Sequence, residues 1–327
     1  MNRSTHSIDN RINPEIISIP FGENDTLRMT RLCRDPEGTP VFMLHGMIEN
    51  SAIFCSRKGR GLGPFLADHG YDVYMADLRG RGKSTPPVGR HSNHGQTESI
   101  LYEVPAFIKK IIEIRGTVTQ KWIAHSWGGV ILNSVMARFT EYAGLVDRAV
   151  YFGAKRRVAA VNRTRLAQID FIWGFFSTLA GLVFGYLPAK KMRIGSDNEP
   201  RMSHLGCVRW VYRKRWVDPV DGFDYGEAAK TASLPPVLYL AAVNDRCLGH
   251  PADVKRTMDE SCQDNAAYRV LGKEYGNLHD YDHVSMLTHP DAVRDHFPIV
   301  LQWLCSAGPG RISRQTSTGE QFPVTAE

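Results

Sequence analysis

The chain contains 327 residues, of which 43% are hydrophobic and 23% are charged, and its formal net charge is +6 at pH 7. These fractions are ordinary for a soluble globular protein, and the length allows one large domain or two average domains with a substantial core. The positive charge would suit an anionic partner, but no nucleic-acid-binding module accompanies it. We therefore expect no nucleic-acid partner.

Six cysteines are scattered along the chain without a C-x-x-C pair or the spacing of metal ligands. We interpret them as reduced thiols and expect neither a metal nor a cofactor. The first residues lack an apolar stretch of signal-peptide length, so a cytoplasmic location is the expectation. The cysteines are Cys33, Cys55, Cys207, Cys247, Cys262 and Cys305.

Two neighbouring segments near the start predict the antiparallel edge of a mixed sheet. Residues 15–19 and 27–32 have strand character, and the second segment alternates apolar with polar side chains. Later segments are apolar without alternation, as in strands covered on both faces. Helical patterns separate them, which predicts βαβ units and a mostly parallel, doubly wound α/β sheet. These later segments are residues 41–44, 71–76, 122–124, 149–153, 237–243 and 268–271.

A long segment between two of these predicted strands has helical character and no strand pattern. Because it is too long for a simple crossover, we predict that it forms a helical cap over the ends of the strands. The tail is rich in Gly, Ser, Thr and Pro, which is typical of disorder. The predicted parts are a flexible lead (1–14), an α/β core in two pieces (15–155 and 231–305), the cap (156–230) and a disordered tail (306–327).

A predicted strand gives way to a predicted helix at Ser126. The strand ends at Ala124, and apolar residues recur four apart in the helix that follows. Small neighbours, Ala124 and Gly128, would let the chain turn sharply at this point. Such a turn exposes the serine hydroxyl and points the first N–H groups of the helix at a bound group. We therefore predict that Ser126 is a nucleophile on a nucleophile elbow.

Four features follow one another along the chain: His45-Gly46-Met47, the turn Asp77-x-Arg79-Gly80-x-Gly82-x-Ser84, the Ser126 elbow, and a late Asp and His. In this order they resemble the α/β-hydrolase fold family over about residues 15–305. The Asp77-to-Ser84 turn is the most specific of them. Within the family, residues 65–74 and the segment around Tyr281-Asp282-His283 look most like the lipase and esterase branches, including the acid-lipase type.

This resemblance implies a catalytic triad in the order Ser, acid, His. Asp245 stands just past the strand after the cap and would be the acid, and His283 lies in the loop before the last helix and would be the base. His279 remains a rival for the base. The backbone N–H groups of Met47 and Trp127 would form the oxyanion hole.

The predicted cap contains an uncharged run, residues 171–187, that is close to the lower limit for crossing a bilayer. Three interpretations compete: a membrane span, a helix that lines an acyl pocket, and a cap that also contacts a lipid surface through flanking Arg and Lys residues. A span would separate Ser126 from the Asp and His that follow it, so we favour the acyl pocket. The expected substrate contacts are Phe171, Trp173, Phe175 and Phe176.

The hypothesis is a serine hydrolase that cleaves carboxylic esters with an apolar acyl or alkyl group through an acyl-enzyme intermediate. The same triad could instead serve an acyltransferase or cleave amides, thioesters or C–C bonds. An alternative of another class is a ligand-binding module of this fold with little turnover. Expected partners are a small ester or lipid-like substrate and, peripherally, a membrane, and the sequence leaves the oligomeric state open.

Overall fold

The computed structural model describes residues 13–263 and 265–306. The predicted lead up to residue 12 and the predicted tail from residue 307 lie outside these described residues. In the described ranges the strands, numbered along the chain, are β1 (Glu15–Phe21), β2 (Asp25–Leu32), β3 (Pro40–Leu44), β4 (Asp72–Asp77), β5 (Gln120–His125), β6 (Val146–Phe152), β7 (Tyr186–Leu187), β8 (Glu199–Pro200), β9 (Val237–Ala242) and β10 (Ala267–Leu271).

Eight of these strands form one sheet in the order β1-β2-β4-β3-β5-β6-β9-β10. The β1–β2 and β2–β4 pairs are antiparallel, and all the other pairs in this sheet are parallel. Every residue of β3, β4, β5 and β9 is buried, whereas β1 alternates between exposed and buried positions. This difference explains why the inner strands have apolar runs without alternation.

Helices cover both faces of the sheet. They are α1 (Leu62–Asp68), α2 (Gln96–Glu98), α3 (Val104–Arg115), α4 (Trp127–Arg138), α5 (Thr140–Ala143), α6 (Arg163–Arg165), α7 (Ser177–Phe184), α8 (Ala189–Met192), α9 (Arg201–Tyr212), α10 (Tyr225–Thr231), α11 (Pro251–Glu260), α12 (Ser285–Thr288) and α13 (Phe297–Cys305), with π-helical turns at Ser99–Glu103 and Leu166–Phe176 and 3-10 turns at Ser51–Ile53, Lys273–Tyr275 and Pro290–Val293.

Alternate side chains of the inner strands enter two separate hydrophobic cores. Phe42 and Trp122 pack on one face with residues of α3 and α4. Met43 and Ile123 pack on the other face with residues of α1 and α13. Since side chains of a strand alternate between faces, these two cores make the sheet a doubly wound layer between helices. The predicted fold class is therefore confirmed.

The chain between β6 and β9 forms an inserted helical segment. Its most apolar part is one continuous helix, Arg163–Phe184, which is long and apolar enough to cross a membrane by length and composition. Only 22% of the most apolar window of this helix is buried. The segment also contains the short antiparallel pair β7–β8, which sequence patterns did not predict because two residues per strand are too few to show a periodicity.

Candidate active site

Ser126 occupies the sharp turn between β5 and α4. Its backbone is in a left-handed region, with φ +51° and ψ −124°, which is a strained conformation for a residue with a side chain. A Cβ atom at Gly128 would lie 2.5 Å from the carbonyl oxygens of Leu44 and His45, and one at Gly46 would lie 2.8 Å from the Cβ atom of Ser126. The close approach of these backbones therefore requires glycine at both positions.

His283 connects Ser126 to Asp245 by two hydrogen bonds. Its Nε2 atom lies 2.9 Å from Ser126 Oγ, and its Nδ1 atom lies 2.5 Å from Asp245 Oδ2. Asp245 follows β9, and His283 lies in the loop between β10 and α12. A Cβ atom at Gly153, just past β6, would lie 2.9 Å from the His283 ring. The absence of a side chain there leaves room for the imidazole.

The charge of the Asp245 carboxylate determines which ring nitrogen of His283 carries a proton. Burial alone raises the pKa of Asp245, but the neighbouring His283 ring outweighs burial and holds this pKa at about 2. An ionised carboxylate can only accept a hydrogen bond, so Nδ1 of His283 carries the proton that it donates to Asp245. Nε2 then has a free lone pair that can accept the hydroxyl proton of Ser126.

The two predicted oxyanion donors both line the cavity that contains Ser126. Within the described ranges, neither the backbone N–H of Met47 nor that of Trp127 donates a hydrogen bond to another residue. Trp127 is the first residue of α4, where the helix supplies no acceptor for its N–H. The Met47 loop is fixed by its neighbour Ile48, whose N–H donates to Glu199 over 2.9 Å. Both amides are therefore free to bind an oxygen near Ser126.

A second hydrogen-bonded pair, Glu49 and His125, lies beside the first. Glu49 Oε1 accepts from the backbone N–H of Gly46 over 2.5 Å and lies 2.6 Å from His125 Nδ1. His125 Nε2 donates to the carbonyl oxygen of His283 over 2.9 Å. Burial raises the pKa of Glu49 and lowers that of His125, but their mutual attraction outweighs burial, so the pKa of Glu49 is lowered and that of His125 is raised. The pair therefore joins the Gly46 loop to the loop of His283 as an ion pair.

The rival base, His279, contacts Asp291 and His289. Its Nε2 atom lies 2.7 Å from Asp291 Oδ2, and its ring packs on His289 with centroids 4.2 Å apart. Atoms of His279, His289 and Asp291 that could bind a metal all lie within 4.8 Å of one another. His289 Nδ1, however, accepts the N–H of Asp291, and Asp291 also pairs with Arg294. The atoms that could bind a metal are therefore already engaged in hydrogen bonds and an ion pair.

A cavity of about 600 Å³ opens over Ser126 and is lined mainly by apolar side chains. Of the four predicted substrate contacts, Trp173 lines this cavity. The structure does not bring the other three to it: Phe171, Phe175 and Phe176 are 61%, 61% and 47% exposed. Positions 171 and 175 are four apart and share the outer face of the helix.

Sequence reasoning missed the residues that face the cavity from the same helix. The missed residues are Gln168, Ile169 and Ile172, which line the cavity beside the predicted Trp173. The three- and four-residue spacing of Ile169, Ile172 and Trp173 is the signal that could have found them. The uniformly apolar sequence of the helix hid this pattern, because both of its faces carry large hydrophobic residues.

The sheet order is that of an α/β protein, and the hydrogen-bonded Ser126, His283 and Asp245 lie at the carboxyl ends of its parallel strands. Residues 39–185 match a family model described as the alpha/beta hydrolase fold. The chain therefore has the α/β-hydrolase fold, and the resemblance seen in its sequence is confirmed.

Several relatives of the chain are named as lipases. Lipase 1 of Drosophila melanogaster is 29% identical over 138 residues, which cover 38% of this chain and 31% of that protein. Human lipase member K is 31% identical over 132 residues, which cover 38% of this chain and 32% of that protein. The chain thus spans about a third of the length of these relatives.

Solved structures resemble the chain over most of its length. An esterase from a Rhodococcus species superimposes with a TM-score of 0.54 at 16% sequence identity, and the match covers 90% of this chain and 99% of that one. At this identity the likeness concerns the fold alone.

Proposed function

We propose that the protein is a serine hydrolase that cleaves carboxylic esters with an apolar acyl or alkyl group. The observation that carries this proposal is the hydrogen-bonded chain from Ser126 through His283 to Asp245 at a mainly apolar cavity. Relatives named as lipases and a structural neighbour named as an esterase support ester hydrolysis as the reaction.

In the first half of the proposed reaction, Ser126 Oγ attacks the ester carbonyl carbon while His283 Nε2 takes the hydroxyl proton. Asp245 stabilises the imidazolium that forms. The carbonyl oxygen gains negative charge and binds the N–H groups of Met47 and Trp127. This attack gives a tetrahedral intermediate. When it breaks down, the bond between the carbonyl carbon and the alcohol oxygen is cleaved, and His283 donates its proton to that oxygen. The acyl group remains on Ser126.

In the second half, water takes the place of the alcohol. His283 removes a proton from the water, whose oxygen attacks the acyl carbon, and the bond to Ser126 Oγ breaks as His283 gives its proton back to the serine. The inserted helical segment, which we propose acts as a cap, supplies Ile169, Ile172 and Trp173 to the wall of the cavity. These side chains would hold an apolar chain and limit the access of bulk water.

Covalent labelling tests the nucleophile. A fluorophosphonate probe should modify the wild-type protein, and peptide mass spectrometry should place the adduct on Ser126. Ser126→Ala should lose the label, whereas Ser196→Ala, which changes another serine of the cavity wall, should keep it. A folded wild-type protein that resists the probe would contradict the proposal and favour a binding module with little turnover.

Product analysis separates the reactions that share this mechanism. An acyltransferase would form a new ester or amide when an alcohol or amine acceptor is added, whereas a hydrolase releases the free acid. A series of p-nitrophenyl esters of increasing acyl length should show rates that rise with chain length until the cavity is filled. Faster cleavage of matched amides or thioesters would move the assignment to those bonds.

We also propose that the outer face of the helix Arg163–Phe184 contacts an anionic lipid surface. Large apolar side chains of this helix face solvent, and an exposed patch of this size is typical of an interaction site. Basic residues flank it and would bind anionic headgroups. The exposed apolar residues are Leu166, Phe171, Phe175, Phe176, Leu179, Leu182, Val183 and Phe184, and the basic residues are Arg163, Arg165, Lys190, Lys191 and Arg193.

The topology of the chain argues against a membrane span. The helix lies between β6 and β9 in the chain, and these two strands are neighbours in one sheet. Ser126 before the helix and His283 after it are in contact, so both ends of the helix lie on the same side of any membrane. The proposal is therefore a peripheral location, with the apolar face lying in the interface.

Vesicle sedimentation tests this contact. The protein should bind phosphatidylcholine vesicles that contain phosphatidylserine, and binding should weaken with added salt. A Phe171→Asp and Phe175→Asp double variant should lose binding. Val220→Asp, which changes an exposed apolar residue outside the helix, is the matched control and should bind normally. Equal binding by both variants would refute the assigned face.

A further inference from the structure

A buried lysine, Lys155, follows β6 at the carboxyl edge of the sheet. β6 lies between β5, which leads into Ser126, and β9, which leads into Asp245. Lys155 is only 7% exposed and lines the same cavity as Ser126. Because the carboxyl ends of neighbouring parallel strands meet at one edge, the ammonium group lies within the candidate active site.

The ammonium of Lys155 has no anionic partner within the described ranges. No hydrogen bond or salt bridge joins its Nζ atom to another described residue, and its recorded contact is with the face of the Trp127 ring, 5.8 Å from the ring centroid. Two other buried cations are paired with carboxylates: Arg81 with Glu199, and Arg156 with Glu260. A buried ammonium without a counter-ion is costly, so Lys155 differs from these two arginines.

The carboxylates near the cavity are already committed to other groups. Glu49 binds the N–H of Gly46 and the ring of His125. Asp245 binds His283, and Lys155 contributes to its environment only through a longer-range attraction. An anion that enters the cavity would therefore find one unpaired cation among apolar walls, where a charge-assisted contact is stronger than in water.

We propose that Lys155 binds an anionic group of the substrate, so that the preferred esters carry a carboxylate or phosphate on a part enclosed by the cavity. This inference rests on the proposed ester hydrolysis. Lys155 would select among apolar esters by charge, because an uncharged analogue leaves its ammonium desolvated and unpaired.

Two matched pairs of esters test the charge preference. The first pair is mono-p-nitrophenyl suberate, with an anionic carboxylate on the acyl side, and the neutral p-nitrophenyl nonanoate. The second pair is 4-hexanoyloxybenzoate, with the carboxylate on the alcohol side, and its neutral methyl ester. For each pair the measured quantity is the ratio of kcat/KM for the anionic ester to kcat/KM for the neutral one.

Lys155→Met should lower this ratio by about tenfold or more in at least one pair. Lys155→Arg, which keeps the charge, should restore most of it. Lys109→Met removes a lysine from the exposed surface of α3 and should leave the ratio unchanged. If Lys155 acts only through Asp245, Lys155→Met will slow both esters equally and shift the pH–rate profile at a constant ratio, which would overturn the proposal.

A binding measurement separates this proposal from the proposed reaction. Calorimetric titration of decanoate and of decanol into the wild-type protein needs no turnover. Tighter binding of decanoate that is lost in Lys155→Met would support the anion site even if no ester were cleaved. Equal binding of both ligands by both proteins would overturn it, even if the neutral esters were good substrates.

Discussion

His125 Nε2 donates a 2.9 Å hydrogen bond to the backbone carbonyl oxygen of His283, 158 residues later in the chain. On its other side the His125 ring meets Glu49, which also binds the N–H of Gly46. One buried ion pair thus holds both the loop before the candidate oxyanion donor Met47 and the loop of the candidate base. Its removal is expected to disturb the geometry of the site without touching the three residues of the proposed triad.

Glu49→Gln tests this pair through the pH dependence of stability. The pKa of His125 is raised above its ordinary value of 6.5, so its contribution to stability is complete below that value and is lost as the pH rises through the folded pKa. The pKa of Glu49 is lowered below 4.5, so its contribution is present above that value and is lost as the pH falls through the folded pKa. The variant should therefore be destabilised most between pH 4.5 and 6.5, by about 1–3 kcal/mol.

Urea unfolding across the pH range measures this effect. Glu113→Gln removes a carboxylate from the exposed surface of α3 and is the matched control. It should change the free energy of unfolding only slightly, and this change should not be largest between pH 4.5 and 6.5. A loss of stability in Glu49→Gln that is the same at every pH would contradict the ion pair. The turnover number of Glu49→Gln should also fall while KM changes little, because the pair acts on the loops and not on the substrate.

The base is assigned by a pair of histidine variants. His283→Ala should lower kcat/KM by about a thousandfold or more, since Ser126 then lacks the group that accepts its proton. His279→Ala should change it by less than about fivefold, because the His279 ring bonds Asp291. Steady-state hydrolysis of a p-nitrophenyl ester checks both, and circular dichroism checks that they are folded. The opposite order of effects would make His279 the base.

The elbow is expected to be intolerant of a single added carbon. Gly128→Ala would place a Cβ atom 2.5 Å from two carbonyl oxygens of the chain around Leu44 and His45. Because these are backbone atoms, the elbow must shift, and we expect a loss of about 2 kcal/mol or more in the free energy of unfolding. In Gly89→Ala the nearest atom would be 3.9 Å away, so its stability should stay close to wild type. Equal melting temperatures for the two variants would argue against the tight turn.

The buried ion pair between Arg81 and Glu199 should be a large stabilising contact of the inserted segment. Glu199 begins β8, is fully buried, and also accepts the N–H of Ile48. Glu199→Ala would leave a buried arginine unpaired, and we expect a cost of about 3–5 kcal/mol in urea unfolding. Glu227→Ala breaks an exposed pair with Lys230 and should have no measurable effect. A mild effect of Glu199→Ala would mean that water replaces the carboxylate.

Much of the fold followed from local patterns. The apolar runs without alternation correspond to buried parallel strands, and the predicted edge residues 15–19 and 27–32 lie in β1 and β2. The small neighbours of Ser126, Ala124 and Gly128, predicted a tight strand-to-helix turn, and the structure has that turn with φ +51° at the serine. Each of these features depends on residues that are neighbours in sequence, so it could be predicted from the sequence alone.

Contacts between distant segments could not be predicted in the same way. Glu49 and His125 are 76 residues apart, and nothing in either local pattern indicates that they meet. The unpaired state of Lys155 is likewise visible only when all the side chains around the cavity are placed. In the helix Arg163–Phe184, apolar residues on every face concealed which of them turn inward. Phe171 and Phe175 were expected at the substrate for this reason, although they lie on the outer face.

The inserted segment is attached to the core unequally along its length. β8 and α9 are anchored deeply, through the Arg81–Glu199 pair and through Trp210, which packs in the core against Trp127. The helix Arg163–Phe184 has few buried residues and reaches the cavity with only a few side chains. Directed evolution could therefore replace this helix to alter the range of accepted substrates. The β8–α9 part of the inserted segment would meanwhile keep the candidate active site intact.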